Sequence, residues 1–266
     1  MRTLVALLIL GAWLAITVAT GTPVAETSTI AVVIAESFQR QLAFAAGFLA
    51  LMALWLRWPD LGFGPHRPGT LKLLWLPALY VALFLTVGLS TGMPPAGVLL
   101  ILIVNALLGS FSEEVMFRGF LYSGLRDLLR PWPAILLGSL LFGAPHVLNV
   151  FLIGHLGAAI GQAVFAVFGG LMFLSLRIRT GSLWPVILLH AAWNSGLVLI
   201  GREAPPLDPN MPVPVLAVAG TALAMLPVLA YPFWLLRHVG RDGDGLGPRP
   251  APQRIPARTP WGDPRP

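Results

Sequence analysis

The chain contains no cysteine. Disulfide frameworks, thiolate metal sites and a cysteine nucleophile are excluded together. Charge is almost as scarce. Only 11% of the 266 residues are Asp, Glu, Lys or Arg, against about 25% in an ordinary soluble domain. So few charges cannot cover a globule of this size, which excludes a water-soluble enzyme. Disorder is excluded by the opposite property, a hydrophobic content of 56%. The apolar runs are long and do not alternate with polar residues, so a membrane barrel is excluded as well. What remains is an all-α, polytopic transmembrane helical bundle.

Eight apolar runs are long enough to cross a hydrocarbon core of about 30 Å at about 1.5 Å per residue. They are Leu4–Thr20, Gln41–Trp58, Leu71–Leu89, Ala96–Arg118, Pro133–Phe151, Leu156–Leu176, Leu183–Ile200 and Val213–Leu236. Eight spans put both termini on one side. With that side taken as cytoplasmic, all but Arg40 and Arg202 of the 17 Lys and Arg residues fall on it, as the positive-inside rule requires. The net charge of +6 is therefore read as orientation in a lipid bilayer, not as nucleic-acid binding. The expected location is the plasma (inner) membrane of a bacterium, with the N- and C-termini cytoplasmic. Arg2 and the apolar stretch after it also resemble a signal peptide. Signals for cleavage are poor around Val18–Ala25, so a retained first helix is expected. Four regions are expected: N-terminal helices over 1–96, a core over 97–200, a last helix over 201–238, and a disordered Pro/Arg-rich tail over 239–266.

No hydrophilic domain is present, so any chemistry falls within the helices. An ionisable residue at mid-bilayer costs at least about 2.5–3.5 kcal/mol, and three places carry such residues. In the first, Glu114 and Arg118 are four apart on one helix face, the favourable order for an ion pair. Glu113 points away from that face, next to Ser110, Gly109 and Ala106, and is left free to act as a general base. In the second, Phe142-Gly143-Ala144-Pro145-His146, a histidine lies inside an apolar helix just after a bend-inducing proline. In the third, His190 and Asn194 share a face and offer two polar groups to one point, as oxyanion donors or as ligands. Blander readings exist for each: glutamates at a membrane edge, a satisfied buried histidine, interhelical hydrogen bonding. Depth is a weak point. Glu113 is too shallow to meet His146 unless the fourth helix runs on past Arg118.

Other features read as structural. Gly157 and Gly161 form a helix-packing pattern, and His155 is expected in a solvated outer loop. Leu121, Leu125, Leu128 and Leu129 with Arg126 and Arg130 suggest an amphipathic helix on the cytoplasmic surface. Trp55, Trp58, Trp75, Trp132 and Trp184 fall near span ends, as interfacial aromatics do.

The order E-E-x-x-x-R, F-x-x-x-H, H-x-x-x-N, intact here as Glu113–Arg118, Phe142–His146 and His190–Asn194, resembles the CPBP family of intramembrane endopeptidases. That family includes the type II CAAX prenyl endopeptidases and the bacteriocin-processing or self-immunity (ABI) relatives. The resemblance implies hydrolysis of a peptide bond in a membrane-associated peptide or protein substrate. It assigns Glu113 and His146 to water activation, and His190 and Asn194 to the oxyanion. Glu114 and Arg118 would hold the helix in register, with Phe142 in support. The family has been labelled metalloprotease, and Glu113, His146 and His190 could form a zinc site. With no H-E-x-x-H present, a metal-free glutamate protease without a cofactor is the favoured expectation. A non-catalytic scaffold or immunity protein of the same fold, and a proton-coupled transporter, are the competing classes.

Overall fold

A computed structural model describes residues 1–21, 29–204, 208 and 211–240. Among them there is helix and no strand. The helices are α1 (Arg2–Ala19), α2 (Ile30–Glu36), α3 (Arg40–Leu56), α4 (Leu71–Ser90), α5 (Ala96–Leu125), α6 (Pro131–Leu152), α7 (Leu156–Thr180), α8 (Trp184–Gly201) and α9 (Val215–Leu235). Seven are long and apolar enough to cross a membrane, and the bent pair α2–α3 makes an eighth span if taken together. The all-α reading therefore stands, with seven or eight spans. The second span differs in form: it is a helix of 17 residues preceded by a short one bent away by 72°.

The bend occurs where Ser37, Phe38 and Gln39 interrupt the apolar run. A break between helices leaves buried backbone groups that need partners. Asn105, buried on α5, supplies the partners. Its Oδ1 accepts from the Gln39 backbone N–H at 3.0 Å. Its Nδ2 donates to the carbonyls of Ile34 and Ser37, both at 2.8 Å.

Small residues set the helix contacts, as they do where apolar lipid leaves packing to do the work. A Cβ on Gly196 of α8 would lie 2.7 Å from the Phe84 Cβ of α4. On α6, a Cβ at Gly143 would fall 2.7 Å from the Ala163 carbonyl of α7. The helix α5 sits at the centre. It touches α1, α2, α3, α6, α7 and α8, and its residues from Val115 to Leu121 are buried in the largest core cluster. Trp13 of α1 meets Phe117 edge-on at 5.4 Å, and the Thr3 hydroxyl donates to Gly124 O at 2.7 Å.

The loops after α3 and α7 join at one end of the bundle. Arg67 N donates to Thr180 O at 2.7 Å, and Leu183 N to Gly62 O at 2.7 Å. Arg2 meets Asp60, lies 3.5 Å from Asp127 and covers the Trp58 ring at 4.2 Å. Arg177 donates to Asp60 O at 3.1 Å. Arg2, Arg67 and Arg177, grouped by sequence, thus share one end, whereas Arg118 of the same group is buried inside the bundle.

Several expectations need correction. The chain from Leu121 to Arg130 is no separate surface helix. It finishes α5 as far as Leu125 and then turns, with Leu121, Leu125 and Arg126 buried against α1 and α6. Apolar residues here face protein, and only Leu128 stands out as largely exposed, at 72%. His155 is buried, not solvated. Its Nδ1 accepts from Ala158 N at 3.1 Å, capping α7, and its other nitrogen lies 2.7 Å from Met211 O. Gly161 has open space around it, so the Gly157–Gly161 pattern is not a two-glycine contact. Val239, placed in the tail by composition, is buried and its carbonyl accepts from Trp132 Nε1 at 3.2 Å. The rest of the tail, 241–266, lies outside the described residues.

Candidate active site

The site begins on α5. Its backbone is α-helical through Glu113 and then passes into a π-helical stretch, Glu114–Leu121, before a last α turn to Leu125. Such wide turns collect at functional sites. The helix runs on past Arg118, so Glu113 lies twelve residues before Leu125, about 18 Å at the usual rise. That extension removes the depth mismatch with His146.

The two adjacent glutamates have different surroundings. Glu114 is fully buried, 0% exposed, and Arg118 1%. Arg118 Nη1 lies 3.1 Å from Glu114 Oε1. This is close ion-pair contact, although its angle does not make a hydrogen bond. The guanidinium also lies over Phe142, 4.0 Å from the ring centroid, and 5.6 Å from Phe173. Its Nη2 donates to Gly170 O at 3.4 Å. A planar guanidinium suits this position between a carboxylate and two rings. The Glu113 side chain, by contrast, keeps 24% of its surface exposed.

His190 on α8 links the two carboxylates. Its Nδ1 donates to Glu114 Oε1 at 2.8 Å. Its Nε2 faces Glu113 Oε2 at 3.7 Å, beyond hydrogen-bond length. The ring stacks on Phe173 at 4.3 Å with a 27° tilt. With Nδ1–H given to a carboxylate, Nε2 is an acceptor in the neutral ring and a donor in the imidazolium.

Phe142 is the common neighbour of the other parts. Its ring meets Phe117 at 5.1 Å, His146 at 5.2 Å and His190 at 6.2 Å. His146 sits in a 3₁₀ stretch, Ala144–Asn149, where Pro145 breaks the α pattern. Its Nδ1 lies 3.0 Å from Phe142 O, which leaves Nε2 for another partner. Asn194, one turn on from His190, is half-buried and makes no hydrogen bond among the described residues. The first two motifs and His190 therefore meet around one ring. Asn194 adds a free amide beside them.

Two contributors carried no signal of their own kind. Phe173 and Gly170 lie on α7, which holds no polar motif. Only the Gly169–Gly170 pair, unusual in a long apolar helix, marked that close approach. A Cβ at Gly170 would stand 3.1 Å from the Phe142 ring.

No group of three His, Cys, Asp or Glu side chains among the described residues is gathered closely enough to hold a metal ion.

The fold is that of a polytopic helical membrane protein, and Glu113, Glu114, Arg118, His146 and His190 are gathered among its helices, the first and fourth of them only half-buried. Residues 95–196 match the family model described as type II CAAX prenyl endopeptidase Rce1-like. The match spans α5, α6, α7 and most of α8, holds all three motifs, and covers less than half of the 266-residue chain. Over that stretch the chain is similar to the CAAX-protease family of intramembrane endopeptidases. No curated protein and no solved structure matches the chain.

Proposed function

We propose that the protein hydrolyses a peptide bond of a membrane-associated protein or peptide with a water activated by Glu113. The observation that carries this is the division between the two glutamates. Glu114 is spent on Arg118 and His190, while Glu113 is partly open and faces His190 Nε2 across 3.7 Å.

In this reading Glu113 takes a proton from the water as its oxygen attacks the carbonyl carbon. His146, through Nε2, orients that water. The carbonyl oxygen becomes an oxyanion and accepts from Asn194 Nδ2 and from His190 Nε2–H in its imidazolium form. One such donor is worth about 2.7–4 kcal/mol. The tetrahedral intermediate then collapses, the C–N bond breaks, and Glu113 returns the proton to the leaving amine. All groups belong to the chain and no step needs a cofactor. The end of the bundle bearing Arg2, Arg67, Lys72 and Arg177 is placed on the cytoplasmic side, together with both termini.

The test is cleavage of a quenched peptide panel by detergent-purified protein. Glu113→Gln is expected to lose at least about 100-fold in rate with unchanged thermal stability. Wild-type activity is expected to survive a strong zinc chelator. Equal background in wild type and Glu113→Gln would overturn the protease reading. Loss on chelation with recovery on added zinc would overturn the metal-free one.

A further inference from the structure

A second feature lies on the outer side of α8, away from the reacting groups. The helices α4 and α8 are closest where Gly196 admits Phe84 and Gly88 admits Leu199. Toward the basic end they diverge and leave a groove of ≈ 590 Å³ between them. Leu71, Leu74 and Val81 line one wall, and Trp184, Leu188 and Ala192 the other. The groove opens outward, with Leu71 47%, Trp184 47% and Leu188 61% exposed.

Its mouth is built differently. Pro65, His66 and Ser182 form the rim. The Ser182 hydroxyl is engaged with Gly64 O at 2.7 Å, and Trp184 Nε1 with Phe63 O at 3.0 Å. Next to lining residues in the chain stand Arg67, after His66, and Lys72, after Leu71. Arg67 is exposed, lies across Gly181 and donates to Ile178 O at 3.2 Å. Lys72 is exposed on the first turn of α4. Neither has a carboxylate partner among the described residues. The carboxylate of the nearest acid on these loops, Asp60, is taken by Arg2. Trp75, 60% exposed, and Trp184 mark this level as the membrane interface.

An apolar slot that starts at an unpaired basic interface and runs inward has the polarity of a phospholipid. We infer that the groove between α4 and α8 binds one anionic phospholipid of the bilayer, its phosphate held by Arg67 and Lys72 and one acyl chain lying against Leu74, Val81 and Leu188. The volume falls within the range of about 300–1,000 Å³ typical of small-molecule sites. The occupant is chosen by charge. A neutral lipid fills the slot equally well but leaves the basic rim without a counter-charge.

The experiment is native mass spectrometry of the full chain, released from detergent with phosphatidylglycerol and phosphatidylcholine of identical acyl chains. Wild type is expected to retain one phosphatidylglycerol in preference to phosphatidylcholine. Two basic residues at about 1 kcal/mol each correspond to about 30-fold, and the preference is expected to shrink as salt is raised. Arg67→Gln with Lys72→Gln is expected to abolish the preference. Lys72→Gln alone, at an exposed side chain without contacts, is expected to reduce it severalfold and covers the case in which the double variant does not fold. Ala78 also lines the groove, and Ala78→Phe, which places a ring in it, is expected to remove the retained lipid whatever its headgroup. Leu216→Phe, on the exposed side of α9, is expected to keep it. Equal retention of the two lipids by wild type, or a preference that persists in the Arg67/Lys72 variants, would overturn the inference.

Discussion

His190 donates its Nδ1 hydrogen to Glu114 at 2.8 Å while its Nε2 looks across 3.7 Å at Glu113. One imidazole therefore reads two neighbouring carboxylates in different ways. The buried one fixes the ring's tautomer and direction. The open one is left facing the nitrogen that can meet a reacting group. Adjacent residues on a helix point roughly 100° apart, so a Glu-Glu pair is a compact way to place one acid in the structure and the other in the chemistry.

Glu114→Ala is expected to act on stability first. The substitution leaves Arg118, 1% exposed, as a buried charge without its counter-charge. Breaking a buried pair in this way costs about 3–5 kcal/mol. Thermal unfolding in detergent should show a marked fall in midpoint for Glu114→Ala and almost none for Glu113→Ala, whose side chain is 24% exposed. Equal shifts would contradict the division of roles.

Phe173 is expected to matter to turnover more than its plain apolar character suggests. Its ring stacks on His190 at 4.3 Å and lies 5.6 Å from the Arg118 guanidinium. Phe173→Leu keeps most of the buried volume but removes the flat surface that holds the imidazole. The expected outcome is a drop in kcat of about tenfold, corresponding to about 1.4 kcal/mol, with KM little changed. Phe173→Tyr should restore most of the rate. A stability loss without this split between kcat and KM would make the residue a packing element only.

The motif residues were legible because each is expensive in lipid and therefore stands out against apolar helix. Glu114 and Arg118 declared their pairing by a four-residue spacing. What the spacing did not reveal was the partner of His190, because contacts between helices have no period in the sequence. The π-helical stretch was equally silent: Glu114–Leu121 reads as ordinary amphipathic helix, and nothing in its residue pattern marks the wider turn. The amphipathic pattern of Leu121–Arg130 misled for a related reason. In a bundle, an apolar stripe at the membrane edge can face protein as easily as lipid, and α1 covers it here. His155 was misjudged because a helix N-terminus needs an acceptor, and a histidine beside a Gly-rich turn can supply one from a buried position.

Asn105 gave no sign of its role, yet it is expected to be among the most sensitive positions outside the site. It satisfies Gln39 N, Ile34 O and Ser37 O at the α2–α3 bend. Asn105→Leu leaves Gln39 N and Ile34 O without this partner, at about 1–3 kcal/mol for each buried group, while Ser37 O keeps the Gln39 side-chain amide at 2.9 Å. The predicted result is a lowered unfolding midpoint and faster proteolysis near Ser37–Gln39. Asn105→Asp keeps the acceptor for Gln39 N and loses both donors, so it should fall between wild type and Asn105→Leu. Identical stability in all three proteins would show that the bend does not depend on this side chain.

The absence of cysteine makes the proposed orientation directly testable. Single cysteines can be introduced without removing any native thiol. Pro68 lies exposed in the loop between α3 and α4, at the basic end. Met93, 70% exposed, lies in the loop between α4 and α5, at the other end. The positive-inside argument puts the first in the cytoplasm and the second outside. In intact bacteria producing the protein, a membrane-impermeant maleimide should label Met93→Cys and spare Pro68→Cys, and both should react once the membrane is opened. The reversed pattern would turn the bundle over. It would leave the catalytic geometry untouched but move the basic rim to the outer face and turn the site toward substrates of that side.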